Sequence, residues 1–539
     1  MTEVPAADRP APDHPGPGRP PQDPGTGRLP QSTGQPQSTG HPRRWWALFS
    51  LVPAVLAIGL DSTVLSVALP TLGVRLHAST DQLLWFMISY TLAFAALMIP
   101  GGLVGDRFGR RRTLLGALAV FGAGSVLCAT AGSAGAFIAA RIVLGVGGAV
   151  IMPVCLGALP ALFPEEERPK AIATIMATSM LGYPVGPILG GWLLTHVWWG
   201  WVFLMNVPMV LAGILAIALF LPESQAKDRR RFDLPGLATS SVGLTLFTYG
   251  VTEIGQNGWT DPRSQTFVIT GVLVLAAFVV LQRRSGDPLI DLAWFAVRGF
   301  SWGAAMSTVV SFVMFGLLFG MPLYFQAVTG QDPQGTGIRL LPVIAGMLVG
   351  APLADRLARS LGPHRGMGLG LLVLAASLGA GSTTTAQSAG WATTFWITGC
   401  GLGIGLALPT AMDAALGPLP EESAGVGSAL VQALRMVGGS LGAAVLGSVL
   451  DAGYRAHLQL TGATATRVTA AQLTAARENV TAGMALARRE GSADLAAAVR
   501  TAFVHGLDSM LLTSAALAVV CAGLAAAFVP RRAHPAPPR

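Results

Sequence analysis

From residue 46 to residue 529 the chain is a series of apolar stretches separated by short hydrophilic breaks. Each stretch is about twenty residues long, the length an α-helix needs to cross a hydrocarbon core about 30 Å thick. Within lipid every backbone polar group must find its partner inside the protein, which restricts spanning structures to helices and closed barrels. Runs this long and this evenly apolar are expected to be helices. About fourteen candidate spans follow on that ruler: 46–70, 83–104, 113–131, 136–161, 170–194, 200–221, 234–254, 265–282, 300–325, 336–354, 366–386, 390–412, 425–450 and 504–529. Only 12% of the residues are charged, half the usage of about 25% in soluble domains. The chain therefore reads as an all-α integral membrane protein.

The formal net charge of +8 raises the possibility of nucleic-acid binding, but the placement of the charges argues against it. Arg43 and Arg44 precede the first span. Arg107 with Arg110 to Arg112, Lys227 with Arg229 to Arg231, Arg283 with Arg284, and Arg356 with Arg359 all follow even-numbered spans, and Arg531 with Arg532 follow the last. All share one side of the membrane, which the bias of Lys and Arg makes cytoplasmic, with both termini there. The exception on the opposite side is the Ala-rich segment 451–503, expected to be a long, partly helical extracellular loop. Long loops translocate whatever their charge. Residues 1–42, rich in Pro, Gly, Gln and Ser, are expected to be a disordered cytoplasmic tail rather than a signal peptide. The four cysteines, Cys128, Cys155, Cys400 and Cys521, lie in apolar runs without close spacing, which suits neither a disulfide framework nor a metal site.

The sequence also repeats itself. "GGLVGDRFGRRR" (101–112) follows the second span and "GAPLADRLARS" (350–360) the tenth. Asp106–Arg107 and Asp355–Arg356 align, each with Gly five residues before the Asp and Arg four after. "GVGGAVIMP" (145–153) and "GLGIGLALP" (401–409) match at nearly the same interval, about 250 residues. Two parallel six-span halves with a site between them form a transporter architecture. The expected organisation is an N-terminal bundle over 43–222, a linker with two inserted spans over 223–297, and a C-terminal bundle over 298–530 that includes 451–503. A short cytoplasmic tail, 531–539, would follow.

Over residues 46–530 the chain resembles the major facilitator superfamily, in particular its fourteen-span drug:proton antiporters. "GGLVGDRFGRRR" is similar to the superfamily's signature after the second span. "LDSTVLSVALP" (60–70) resembles the subfamily's first-span motif, with Ser66 where Asn is usual. "RIVLGVGGA" (141–149) keeps Arg141 and Gly145, with Leu144 in place of Gln. "GYPVGPILGG" (182–191) fits the antiporter motif of span 5 in full. "WGWVFLMNVP" has Gly200 where the family more often has Arg, and "LVQALRMVGG" (430–439) keeps Arg435, with Met436 in place of Gln.

Each motif also has a physical reading. Gly182, Gly186 and Gly190 recur every four residues along one helix face. Small residues at that spacing let helix backbones approach closely in lipid. Pro184 and Pro187 free backbone carbonyls, tolerable where neighbours or water re-satisfy them. A stripe of this kind also serves as a plain packing face. The Gly186–Pro187 pair with Gly191, through the resemblance, implies a seal on the outer side of a pathway associated with export.

Asp61 lies about two-thirds along span 1, where an ionised carboxylate costs about 2.5–3.5 kcal/mol to insert. Arg141 reaches comparable depth in span 4. A carboxylate in low dielectric beside a mobile cation changes its hold on a proton as solvation and pairing change, as a proton carrier must. A static ion pair is the plainer alternative. The repeat argues for the carrier: the position matching Arg141 in the second half is Ile397, so one half alone holds the charge. Gly102, Asp106, Arg107, Gly109 and Arg110 lie at the membrane boundary, where the resemblance implies a conformational latch between halves. Gln432 and Arg435, near mid-depth in span 13, are expected at the cavity wall. Glu253 and Asp413 lie nearer span ends and are expected to be interfacial.

There is no Gly-rich phosphate loop with a following Lys and no HExxH, so neither ATP-driven pumping nor zinc hydrolysis is expected. The expectation is a monomeric secondary exporter of lipophilic small molecules. It would use the proton gradient, bind no cofactor or nucleic acid, and not be an enzyme. The alternatives are an importer or exporter of a specific metabolite, nutrient or ion on the same fold, and a non-transporting membrane sensor or scaffold.

Overall fold

Every apolar stretch named above falls wholly or mostly on a helix in the computed structural model. The structure describes residues 43–164, 167–225, 233–257, 261–285, 292–385, 388, 390–419, 424–458, 476–477 and 480–530. The expected tails 1–42 and 531–539, and the cluster Lys227 with Arg229 to Arg231, lie outside them.

The helices are α1 (Arg44–Arg75), α2 (Thr80–Phe108), α3 (Arg110–Ala129), α4 (Ala134–Leu162), α5 (Arg168–His196), α6 (Trp201–Leu204), α7 (Asn206–Phe220), α8 (Leu234–Asn257) and α9 (Pro262–Arg284). They continue with α10 (Arg298–Leu323), α11 (Pro333–Leu361), α12 (Pro363–Gly381), α13 (Gly390–Leu416), α14 (Ala424–His457), α15 (Val480–Arg489) and α16 (Ala493–Phe528). Among the described residues there is no strand, and eleven helical segments are long and apolar enough to cross a membrane. α5, α8 and α12 are helical but fall outside those eleven.

Two boundaries differ from the sequence expectation. Span 6 is broken: α6 stops at Leu204 and α7 begins at Asn206, whose buried amide donates to Ser125 Oγ of α3 at 3.3 Å. Segment 451–503 holds more helix than loop where it is described, because α14 runs on to His457, α16 starts at Ala493 and α15 lies between. Alanine is the strongest helix former, so the neighbouring helices extend into this stretch even though its charges lower its hydropathy.

We call the end of the bundle where α1 gives way to α2 the far end. Several helices that start there carry side-chain caps, which satisfy orphan N–H groups. Ser79 and Gln82 form a capping box on α2, with Ser79 Oγ accepting from Gln82 N at 3.4 Å and Gln82 Oε1 from Ser79 N at 3.1 Å. Ser133, Asp332 and Ser492 cap α4, α11 and α16. At the opposite, near end two of the turns rest on glycine. Gly109 (φ 102°) joins α2 to α3 and Gly362 (φ 86°) joins α11 to α12, a backbone region that side chains with a Cβ avoid.

Two sets of helices pair in the same way. α1 packs on α5, α2 on α4, and α3 on α4 and α7; likewise α10 packs on α14, α11 on α13, and α12 on α13 and α16. The sequence matches have structural counterparts. A Cβ on Gly145 would lie 2.7 Å from the Tyr90 carbonyl of α2, and one on the matching Gly401 would run into the Val343 carbonyl of α11. Between the sets the contacts are reciprocal, α2 against α14 and α5 against α11. The pair α8–α9 leans on both, α8 touching α2 and α14.

Candidate functional site

The two charges at mid-depth in the first set meet. Arg141 Nη1 donates to Asp61 Oδ2 at 2.8 Å, with both side chains buried. α1 supplies the carboxylate and α4 the guanidinium, and α2 completes the setting. Arg141 Nε donates to the Phe86 carbonyl at 3.1 Å, and the guanidinium lies 4.5 Å from the centre of the Tyr90 ring. Cys128 of α3 is buried close enough to interact electrostatically with both charges. Desolvating two ions is expensive, and such a pair persists only with good geometry and further hydrogen bonds. Arg141 meets that condition. Asp61 meets it by half, because its Oδ1 is buried and accepts no hydrogen bond from the described residues. Neighbouring hydroxyls on α1 are engaged elsewhere: Ser62 donates to the Ile58 carbonyl at 2.8 Å and Ser66 to that of Thr63 at 2.6 Å.

Arg141 borders a small space between the two sets, with room for little more than a water molecule. Arg141, Ser62, Leu65, Met87, Tyr90 and Thr91 line it from α1, α2 and α4, and Phe315 and Met436 from α10 and α14. Beside it the sets are joined by Thr91 Oγ1 and Ser440 Oγ, 2.6 Å apart. Nearer the far end, Gln326 Nε2 donates to the Val67 carbonyl at 3.0 Å. Gln326 sits in a π-helical turn (Tyr324–Val328) that follows Pro322. Such turns arise where the regular ladder is interrupted.

The glycine stripe explains how α1 is held. α5 runs unbroken through both prolines. A Cβ on Gly182 would lie 2.6 Å from the backbone of Gly59, one on Gly186 3.0 Å from the Leu60 carbonyl, and one on Gly190 would run into Val64. The stripe therefore grips the turns of α1 that carry Asp61. The other face of α5 meets the second set: a Cβ on Gly191 would lie 2.6 Å from the Pro333 carbonyl, and one on Gly337 would run into that of Pro187. One motif thus touches both the carboxylate-bearing helix and the partner helix α11.

At the near end, Gly102 packs against Pro153 of α4. Asp106 Oδ1 accepts from Arg110 Nη2 at 2.8 Å and Nε at 3.1 Å. The Arg107 guanidinium lies over the Phe108 ring. Gly109 leaves room for Glu223, whose Oε1 accepts from Arg111 N at 3.2 Å. These contacts of the hinge all stay within the first set. Arg435 of α14 donates to Gln432 Oε1 at 2.7 Å and to Ser311 Oγ of α10 at 3.2 Å. It lies next to Met436 of the cavity wall, and Ser311 one turn from Phe315. Ile397, which matches Arg141 in the repeat, is a buried core residue of α13.

The sequence reading did not single out Tyr90, Thr91, Phe315 or Ser440. They are ordinary residues within apolar runs, and no charge marks them.

Two like-paired sets of membrane helices enclosing a cavity and a buried ion pair have the layout of a secondary transporter. The sequence profile of the Major Facilitator Superfamily matches residues 51–443, and the chain belongs to that superfamily of membrane transporters. Among similar proteins, the tetracenomycin C resistance and export protein of Streptomyces glaucescens is 33% identical over 92% of this chain and 93% of its own length. The puromycin resistance protein pur8 of Streptomyces alboniger is 34% identical over 77% and 84%. The methyl viologen resistance protein SmvA of Salmonella typhimurium is 30% identical over 88% and 95%. A bacterial homologue of the human lysosomal transporter Spinster, inward-facing and unoccupied, shares the fold with a TM-score of 0.65 at 17% identity, over 90% of this chain and 98% of that one. At that identity the likeness is one of fold alone.

Proposed function

We propose that this chain is a proton-coupled secondary exporter, which moves drugs, antibiotics or other lipophilic small molecules out across the cytoplasmic membrane by alternating access. Relatives named for antibiotic resistance and export support the reading. The observation that carries it is Asp61, a buried carboxylate paired with Arg141, which lines the space between the two sets, and left with one oxygen that accepts no hydrogen bond from the described residues. The working arrangement is fourteen spans with both termini cytoplasmic: an N-terminal bundle (43–222), an inserted pair (223–297) and a C-terminal bundle (298–530). It acts as a monomer with the proton gradient as its energy source.

With Asp61 ionised, the two charges compensate each other. A proton placed on Oδ1 satisfies the orphan oxygen and leaves Arg141 as a lone cation at the cavity wall. Because an uncompensated charge in the bilayer interior is costly, the two protonation forms favour different packings of α1 and α4. They also favour different solvation of the cavity. Proton and substrate then favour opposite states, so a proton enters from outside as substrate leaves. One proton falling through about 100 mV releases about 2.3 kcal/mol, enough to sustain roughly a fifty-fold substrate gradient.

In this scheme Gly182, Gly186, Pro187, Gly190 and Gly191 transmit movement of α1 to α11 and close the outer side. Gly102, Asp106, Arg107, Gly109 and Arg110 form the cytoplasmic latch, with Asp106 exchanging its Arg110 partner for the second bundle when that side closes. Gln432 and Arg435 set the polarity of the opposite cavity wall.

The test is Asp61→Asn in energised everted membrane vesicles, with a fluorescent compound, chosen by susceptibility profiling of deletion and overexpression strains, supplied in the outer medium. Gradient-driven transport is expected to disappear while membrane insertion stays at the level of the parent. Full transport by the variant would remove Asp61 from the mechanism.

A further inference from the structure

Two contacts of the Arg141 guanidinium come from a single turn of α2. Nε donates to the Phe86 carbonyl at 3.1 Å, and the centre of the Tyr90 ring lies 4.5 Å from the guanidinium carbon. Phe86 and Tyr90 stand four residues apart, on one face of the helix. Packing fixes the ring there. Tyr90 is buried. On α4, the helix that carries Arg141, two glycines leave its slot open. A Cβ on Gly145 would lie 2.7 Å from the Tyr90 carbonyl, and one on Gly148 3.2 Å from the Tyr90 hydroxyl oxygen. The Phe94 ring of α2 lies 5.8 Å from it, centre to centre. The next residue, Thr91, meets Ser440 of α14 at 2.6 Å, so the turn that touches Arg141 is also tied to the second set.

An aromatic face attracts a cation within about 6 Å, most strongly where water is excluded. With Asp61 ionised, the carboxylate compensates Arg141 and the ring faces a neutral pair. With Asp61 protonated, the guanidinium keeps its full charge beside a neutral acid, the Phe86 carbonyl and the ring. The attraction of the ring is then at its largest. Tyr90 therefore stabilises the protonated form more than the ionised one.

We infer that Tyr90 is a positioning residue for the proton step, its ring being the partner that holds Arg141 when Asp61 takes up a proton. This rests on the proton-coupled export reading, with Asp61 as the proton site. Of the other groups around the pair, Cys128 of α3 lies within electrostatic reach. α5 presents Gly182 and Gly186 to this stretch of α1, and α6 and α7 carry no titratable residue. On α10 Phe315 faces Arg141 across the small space, and on α14 Met436 does, next to Arg435, which is engaged by Gln432 and Ser311.

The test needs no substrate. The full chain in lipid nanodiscs carries spin labels on cysteines placed at the exposed positions Trp192 and Ile338, while the four native cysteines are buried. Pulsed electron resonance over a pH series gives the midpoint at which the distance distribution changes. Tyr90→Leu is expected to move that midpoint about one pH unit to the acid side, because a lone Arg141 is then held less well. Tyr90→Phe keeps the ring and is expected to stay within about 0.3 units of the parent. Tyr90→Met fills the slot without a ring, is expected to follow Tyr90→Leu, and decides the matter if the leucine variant folds poorly. A purely structural role would lower yield and leave the midpoint in place. A midpoint unmoved by the ringless variants, or moved to the alkaline side, overturns the inference. So does Tyr90→Phe moving it as far as they do, since the hydroxyl and not the ring would then be the partner. Asp61→Asn separates this inference from the reading beneath it: a distribution that still changes with pH in that variant, or one that does not change in the parent, overturns the proton site itself.

Discussion

Asp61 and Arg141 are coupled more tightly than an exposed pair, because neither charge has water to fall back on. Removing one partner strands the other. Arg141→Ala is expected to lower stability by about 3–5 kcal/mol. The double variant with Asp61→Ala is expected to recover at least about 1 kcal/mol of the summed loss of the two single variants. Thermal unfolding of purified protein in detergent measures this, and strictly additive losses would show that the 2.8 Å contact carries no coupling. The charges themselves were legible in the sequence, since an ionisable group within an apolar run stands out by its insertion cost. Their surroundings were not. The Phe86 carbonyl, the Tyr90 ring and the Thr91–Ser440 contact belong to residue types found throughout the spans, and only the packing of α2 and α14 selects them.

The element whose sequence and structure agree most closely is α5. A four-residue glycine spacing predicts a close-packed face, and that face lies on the backbone of α1 from Gly59 to Val64. Gly186→Val would drive methyl groups into Thr63 and the Leu60 carbonyl. Its expected effect is loss of transport together with about 1–3 kcal/mol of destabilisation from overpacking, read from efflux assays and thermal melting. Gly523→Ala on α16, where a Cβ meets nothing within 4 Å, is the matched control and is expected to keep transport and to be neutral or stabilising by up to about 1 kcal/mol. Other features of the elements escaped the sequence. The break at Met205 coincides with Pro208, which has no N–H to give the Leu204 carbonyl, and the π turn at Tyr324–Val328 follows Pro322 and carries Gln326, which reaches Val67 across the interface. The extensions of α14 and α16 were hidden by charges that an apolar-run criterion counts against a helix although alanine favours one.

At the scale of the molecule, the repeated pairings and the reciprocal contacts of α2 with α14 and α5 with α11 mark out two like-built sets, the two bodies that the proposed alternating access would rock about the space between them. The internal repeat was legible in two short matches. The far-end contacts between the bodies were not, because they rest on backbone meeting glycine. A wedge there is expected to separate the bodies: Gly337→Leu, facing the Pro187 carbonyl, should lengthen the distance between spin labels at the exposed positions Trp192 and Ile338. The same two labels provide the most direct test of the central claim, that protonation of Asp61 biases which arrangement of the bodies is populated. In the parent protein, pulsed electron resonance is expected to show the distance distribution shifting between alkaline and acidic samples. With Asp61→Asn the distribution should be the same at both. A variant that shifts with pH as fully as the parent would contradict the account, because the proton that moves the bundles would then be bound somewhere other than on Asp61.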